Sequence, residues 1–321
     1  MDVAATIGFF DGVHLGHQHL LATLCQLARE RGLQSCVVTF AQHPRQVLCP
    51  DWRPSLLTTA DEKKQLLADT GVERIEMLTF TREMAALTAR QFMEQILSNQ
   101  LNTRLLLTGY DNRFGHNRAE TFDDYVTYGR DLGIDVVPAT QLRLTPARAA
   151  LKDTPSPEET CHPSAENLQP SPNSTLIRQL IAEGNVSDAA QLLGRCYSLT
   201  AQVVGGFQIG RQLGFPTANL RPLSAEKLIP GRGVYAVKVG IDGTQSMLTG
   251  MMNIGTRPTF SGHDTSLEVH LLHFSEQLYG HKLTVQFVKR LREERRFDSP
   301  EQLAEQLAKD AQQAALVVPV L

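Results

Sequence analysis

The chain lacks a basic excess, a long apolar run and paired cysteines, and each absence removes a class of protein. Thirty-one Lys and Arg stand against 34 Asp and Glu, a formal charge of −3. That balance gives no footprint for nucleic acid as a bulk partner, although a nucleotide ligand would need only a local positive site. No run of about eighteen apolar residues occurs and no charged-then-apolar leader opens the sequence, so neither membrane spanning nor export is expected. The five cysteines, Cys25, Cys36, Cys49, Cys161 and Cys196, are odd in number, widely spaced and without a C-x-x-C pair. They argue against a disulfide framework or zinc site and for a reducing, cytoplasmic setting. The G-x-x-x-x-G-K-[ST] phosphate loop is missing as well, and no internal repeat is visible. What remains is a chain of 321 residues, 42% hydrophobic, long enough for two domains that each bury a core.

Up to about residue 140, short β-rich apolar runs at 3–7, 35–40, 74–78, 104–108 and 134–137 alternate with helical patterns such as 17–30 and 89–97. Apolar residues at i, i+3, i+4 and i+7 mark those helices. Strand and helix in alternation predict βαβ units, a parallel sheet and ligands bound beyond the carboxyl ends of its strands. Residues 146–172 are crowded with Pro, Ser and Glu and are expected to form a mobile insertion, chiefly over 148–172. NSTLIRQLIAEG and VSDAAQLLG then read as two short connecting helices, with Asn173 or Ser174 as cap and Gly184 as terminator. From Tyr197 the period changes to two, with candidate strands at 199–204, 234–241, 246–253, 267–273 and 283–291. That pattern predicts a small β-barrel. A closing helix over 299–316, capped by Ser299 with Pro300 at its first position, covers it.

The stretch GFFDGVHLGH (8–17) places His14 and His17 at the mouth of a helix, directly after a buried strand. Gly12 and Gly16 remove side chains where a polyphosphate needs close backbone approach, and the helix start offers N–H groups and a positive dipole end. Imidazoles there can donate to phosphate oxygens as charge develops in a displacement at phosphorus. An isolated histidine would more often be structural, and Asp111, Asn112 and Arg113 would by themselves read as a polar turn after a strand. The stretch resembles the H-x-G-H motif of nucleotidylyltransferases. Its F-D-G-V-H-x-G-H-Q context resembles the bacterial bifunctional riboflavin kinase/FAD synthetases. TFAQHP (39–44), TGYDNRFGHNR (108–118) and NSTLIR (173–178) resemble that family's T-F-x-x-H-P, G-x-D-x-x-F-G and S-S-T-x-I-R segments. Asn173 stands where the first serine is usual, and Glu120 where a glycine is common. The resemblance implies adenylyl transfer: FMN phosphate attacks the α-phosphorus of ATP and pyrophosphate leaves with Mg²⁺. It makes His14 and His17 catalytic, and assigns Gly8, Phe10, Asp11, Gly16, Ser174, Thr175 and Arg178 to ATP and its phosphates. It assigns His43, Asp111 and Phe114 to the flavin.

In the second half, GRQLGFPTANL (210–220) reads by itself as a glycine-rich hairpin leading into an edge strand. Thr217 and Asn219 share a strand face, so their oxygens could converge on a hard cation. The stretch resembles the riboflavin kinase motif G-R-x-L-G-F-P-T-A-N, which implies that Thr217 and Asn219 hold Mg²⁺ and that Gly210 and Thr217 touch ATP phosphate. GVYAVKV, MNIGTRPTF, LEVHLLHF, LYG and LREERRF follow in the family's order. An acid such as Glu268 in an apolar strand would usually face solvent. Its match to the family's catalytic glutamate implies a general base for the ribityl 5′-hydroxyl as it attacks the γ-phosphorus. His270 and His273 read as structural, and KRLREERRF (289–297) mainly as a solvated strand end, with Arg292 a candidate at the flavin.

The expectation is a two-domain α/β and β-barrel enzyme: a Rossmann-like adenylyltransferase over 1–184 and a riboflavin kinase barrel with a C-terminal helix over 185–321. Riboflavin, FMN and ATP are its partners, with Mg²⁺ as cofactor and FAD as product; weak self-association is allowed for, nucleic acid and membrane are not. The rival reading keeps the kinase and makes the N-terminal half inactive, structural or flavin-sensing.

Overall fold

Buried strands built from small and branched apolar residues set the first half of the molecule. In this computed structural model, residues 1–109, 113–116, 119–140, 142, 171–205, 214–244, 246–259 and 262–318 are described. The expected insertion falls almost wholly outside them, as do Asp111 and Gly210. Cα proximity divides the chain into two units, Met1–Pro50 with Lys63–Asn173 and Asp51–Glu62 with Ser174–Leu321.

The first unit holds a parallel sheet of β1 (Val3–Ile7), β2 (Gln34–Phe40), β3 (Arg74–Leu78), β4 (Thr103–Thr108) and β5 (Asp135–Pro138), in the order β3-β2-β1-β4-β5. Every neighbouring pair is parallel, as the alternation of strands and helices predicts. The helices are α1 (Leu15–Glu30), α2 (Pro44–Leu48), α3 (Ala60–Ala68), α4 (Arg82–Ala86), α5 (Ala89–Phe92) with its π-helical continuation Met93–Gln100, and α6 (Phe122–Leu132). Alternate residues of β1 enter opposite apolar layers, Val3, Ala5 and Ile7 in one and Ala4 in the other. Both faces are therefore covered, which is why the strands read as nearly continuous apolar runs. The chain winds outward from β1 through β2 to β3, then crosses to β4 and β5. The winding reverses beside β1, so its carboxyl end lies at the topological switch point where open α/β sheets bind ligands.

The second unit is a closed antiparallel barrel of β6 (Tyr197–Val204), β7 (Ala218–Pro222), β8 (Gly233–Ile241), β9 (Met247–Thr259), β10 (Gly262–Leu271) and β11 (Lys282–Arg292), in the order β10-β7-β6-β11-β8-β9. The stretch GRQLGFPTANL, which by itself reads as leading into an edge strand, leads into a strand closed on both sides, as the barrel resemblance implies: β7 pairs with β6 on one side and β10 on the other. Strand burial in β6 alternates strictly, with Leu199, Ala201 and Val203 inside. Before the barrel, α7 (Ser174–Glu183) ends at Gly184, whose φ is 85°, and α8 (Val186–Leu193) ends at Gly194 in the left-handed region. These helices do more than connect, since α8 packs on β6 and β11. The last helix, α9 (Pro300–Val317), is capped by Ser299 and lays Ala314 against Ala236 and Met251 on the outside of the barrel. Residues 51–62 join this unit through Leu56, whose N–H donates to the Glu226 carbonyl at 2.7 Å and whose carbonyl accepts from Leu228 at 2.9 Å.

Candidate active sites

The turn between β1 and α1 is strained where the chemistry is expected. Phe10, Gly12 and Val13 have φ values of 54°, 81° and 38°, a conformation that non-glycine residues rarely adopt. The side chains of Phe10 and Val13 are 3% and 1% exposed and anchor in the core, which offsets the strain. A Cβ at Gly8 would stand 3.0 Å from the Phe10 ring, and one at Gly16 would stand 3.2 Å from the His14 ring and from the Pro172 carbonyl oxygen. Glycine at both positions lets the turn close.

His14 is the cap of α1. Its Nδ1 accepts from the His17 N–H at 3.3 Å, so the helix start is partly self-capped and does not offer every N–H to a ligand. With Nδ1 accepting, the proton of the neutral ring sits on Nε2. The two imidazoles stack with centroids 3.6 Å apart and planes at 18°, and Phe10 meets His17 edge-on at 5.1 Å. Burial, then the neighbouring charges of His14 and Lys63, hold His17 well below the usual histidine range. It is a neutral ring at pH 7, and its Nδ1 is buried with no hydrogen-bond partner among the described residues. Asp11 is 3% exposed.

Two further residues belong to this edge of the sheet. His43 caps α2, accepting from the Arg45 N–H at 3.1 Å, and its ring stands edge-on to Phe9 at 4.6 Å. Lys63, which the sequence reading passed over, is 2% exposed and donates to the Phe9 carbonyl at 3.1 Å and the Phe40 carbonyl at 2.6 Å. A signal was present: Lys63 and Leu67, four apart, are the buried residues of α3, so a lysine occupies a core-facing position. Phe114 is packed against its own unit, stacked on Tyr125 at 4.4 Å and 7°, with Phe92 at 5.6 Å. Ser174, Thr175 and Arg178 lie in the first two turns of α7, in the second unit.

On the barrel, Asn219 of β7 lies opposite Glu268 of β10, and Glu268 lies opposite Asn253 of β9. Directly paired residues share a face, so an amide, a carboxylate and a second amide form one row, in which Asn219 is buried at 8% exposure. Thr217 and Asn219 line a cavity of about 360 Å³ together with Val269, Phe274, Leu278 and Tyr279. That volume suits a small-molecule ligand. His270 braces the segment: its Nδ1 is 2.7 Å from the Pro216 carbonyl oxygen and its ring meets Phe215 at 5.4 Å. Arg292 is engaged elsewhere. Its Nε and Nη2 donate to the Asp310 carboxylate of α9 at 3.0 and 2.8 Å, and Asp310 is fully buried.

A doubly wound domain with paired imidazoles at its switch point, joined in one chain to a barrel whose cavity is lined by a hydroxyl and an amide, with the Glu268 carboxylate opposite that amide in register but outside the cavity lining, defines a two-module nucleotide-dependent transferase. Residues 1–149 match the FAD synthetase family and residues 193–318 the riboflavin kinase family. The chain is 37% identical to the bifunctional riboflavin kinase/FMN adenylyltransferase of Escherichia coli K12, over 95% of this chain and 89% of that one. It is 38% identical to the enzyme of the same description from Pseudomonas fluorescens (98% and 93% covered) and 33% identical to that from Bacillus subtilis (96% and 90%). Among solved structures, that of a macrolide-efflux protein from Streptococcus pneumoniae superposes with a TM-score of 0.81 at 30% identity, covering 98% of this chain and 94% of that one. The chain belongs to the bifunctional riboflavin kinase/FMN adenylyltransferase family, whose two activities together produce FAD.

Proposed function

We propose that the His14–His17 pair carries the adenylyl transfer and that Thr217, Asn219 and Glu268 carry the phosphorylation of riboflavin. On this reading residues 1–184 serve the first reaction and 185–321 the second. The observation that carries it is the stacked imidazole pair, at 3.6 Å, beyond the carboxyl end of the central strand. In adenylyl transfer an FMN phosphate oxygen attacks the α-phosphorus of ATP, the bond to the bridging oxygen breaks, and pyrophosphate leaves. No proton need move. Charge builds on the phosphate oxygens, where fixed N–H donors are worth most. His14 Nε2–H is such a donor, since its Nδ1 is committed to α1. Gly8, Phe10, Asp11 and Gly16 shape the turn. Ser174, Thr175 and Arg178 grip phosphate, and His43, Asp111 and Phe114 meet the flavin, on the strength of the motif resemblance.

In the kinase reaction the ribityl hydroxyl oxygen attacks the γ-phosphorus, its proton passes to the Glu268 carboxylate, and ADP leaves. Gly210 is assigned to phosphate and Arg292 to the flavin site on resemblance alone; the Asp310 bridge gives Arg292 a structural duty as well. Among the described residues no cluster of three His, Cys, Asp or Glu side chains is suited to a metal. The donors present are the hydroxyl of Thr217 and the amide oxygen of Asn219. A hard-oxygen set with few protein ligands fits Mg²⁺, which keeps waters and nucleotide phosphates in its shell. Mg²⁺ held there would neutralise phosphate charge.

Cytoplasmic residence and weak self-association belong to the same reading; the first rests on the family resemblance and the second is checked by sedimentation. The deciding experiment incubates the protein with riboflavin and MgATP and separates riboflavin, FMN and FAD over time. FMN should rise and then convert to FAD. His14→Ala should lower FAD formation by at least about a hundredfold while FMN formation continues. Glu268→Gln should lower FMN formation by about 10²–10⁴-fold while FAD still forms from supplied FMN. Loss of both activities in either variant would count against the assignment.

A further inference from the structure

Lys63 is buried at the edge of the sheet without any role in the reactions above. Its ammonium ties two carbonyls, Phe9 just beyond β1 and Phe40 at the end of β2, and lies 3.8 Å from the centroid of the Phe9 ring. Thr39 Oγ donates to the same Phe9 carbonyl at 3.2 Å, so the entry to the strained turn is fastened from two sides. The titratable groups that act on it are Asp11, which favours its charged form, and His17; His14 stacks on His17, and His43 meets the same Phe9 ring edge-on. Lys63 in turn disfavours a charge on His17. His17 therefore meets a polyanionic substrate as a neutral ring. The α1 dipole and the buried Lys63 ammonium at the entry to the turn add positive field at this edge.

We infer that Lys63 is a positioning residue for adenylyl transfer: its ammonium pins the Phe9–Asp11 segment to the sheet and holds positive charge at the entry to the turn that carries the imidazole pair, which receives the nucleotide polyphosphate. The inference rests on the assignment of His14 and His17 to that polyphosphate. A structural peg alone would not move a pH profile, and this arrangement does. Burial brings the Lys63 ammonium down to about 8, whereas phosphate monoester ionisations lie near pH ~6. The kcat/KM for FAD formation from FMN and ATP should thus fall as pH rises through about 8, where neither substrate titrates. ATP binding at that pH should also draw protons onto the protein, because an anion nearby favours the ammonium.

The test compares wild type with Lys63→Met, using kcat/KM for FAD formation across the alkaline range and calorimetry of MgATP binding in buffers of different ionisation enthalpy. Lys63→Met should lose about tenfold or more in FAD formation, lack the alkaline fall, and lack the excess proton uptake, while FMN formation stays at the wild-type rate. A variant that makes FAD at the wild-type rate, or keeps the alkaline fall, overturns the inference. If Lys63→Met does not fold, the wild-type profile decides alone, and a flat profile through about pH 8 overturns it. His14→Ala separates the two layers: undiminished FAD formation in that variant sinks the polyphosphate assignment itself.

Discussion

At the scale of single residues, the N-terminal site stores its chemistry in an imidazole kept neutral. The folded state refuses a proton on His17 because burial, His14 and Lys63 all oppose the charge. The unfolded chain accepts that proton near pH 6.5. Below that pH the unfolded state therefore binds more protons, and stability falls as the solution is acidified, at no more than about 1.4 kcal/mol per pH unit from this residue. Above pH ~7 the contribution is flat. Urea unfolding at pH 7.5 and at pH 5.5 should show a larger loss of midpoint in wild type than in His17→Gln, which has nothing to protonate. Equal losses in the two proteins would mean that His17 titrates normally. Cys36 is perturbed in the other direction, its thiol pushed up to about 12 mainly by burial, and it is inert for the same reason.

At the scale of elements, the barrel is completed by a helix that one ion pair fastens. Arg292 ends β11, and its fork grips Asp310 on α9, with Gln306 Nε2 donating to the same carboxylate at 2.7 Å. Asp310 is fully buried, so removing its partner strands a charge. Arg292→Met should cost about 3–5 kcal/mol, and Asp310→Leu added to it should restore most of the loss. Thermal unfolding of the two variants measures both effects; a cost below about 1 kcal/mol would show the pair to be a minor surface contact. This pair also marks what sequence reading could not reach. Strands such as β1 and β3 were legible to the residue, because each carries its own apolar pattern and its bounds depend on local turns. The pairing of β7 on both sides was not legible in its own segment, because barrel closure depends on partners from β6 and β10 and a Pro-containing segment suggests an edge. Arg292 read as a solvated or ligand-facing cation because its partner lies 18 residues away on another element. Lys63 was hidden by the adjacent Lys64 and by the general expectation that lysines face water.

At the scale of the whole molecule, two reactions in sequence share one chain, and the product of the kinase is the substrate of the adenylyltransferase. The residues assigned to each chemistry form separate sets: His14 and His17 beyond β1, and Thr217, Asn219 and Glu268 on β7, the segment leading into it, and β10. Nothing in either set borrows a reacting group from the other. If so, FMN made on one chain is usable by another, provided it leaves the barrel before it is adenylylated. An equimolar mixture of His14→Ala and Glu268→Gln proteins should then convert riboflavin to FAD, although neither variant does so alone. The mixture should show a lag while free FMN accumulates, and the lag should shorten in proportion as both proteins are concentrated together. Quenched samples separated by chromatography would follow FMN and FAD directly. FAD with a lag supports two complete sites linked by diffusion. FMN that accumulates in the mixture without FAD, while supplied FMN is adenylylated normally by Glu268→Gln alone, would mean that the nascent FMN is not released in usable form. A mixture that makes neither product would contradict the division of labour between the two sets.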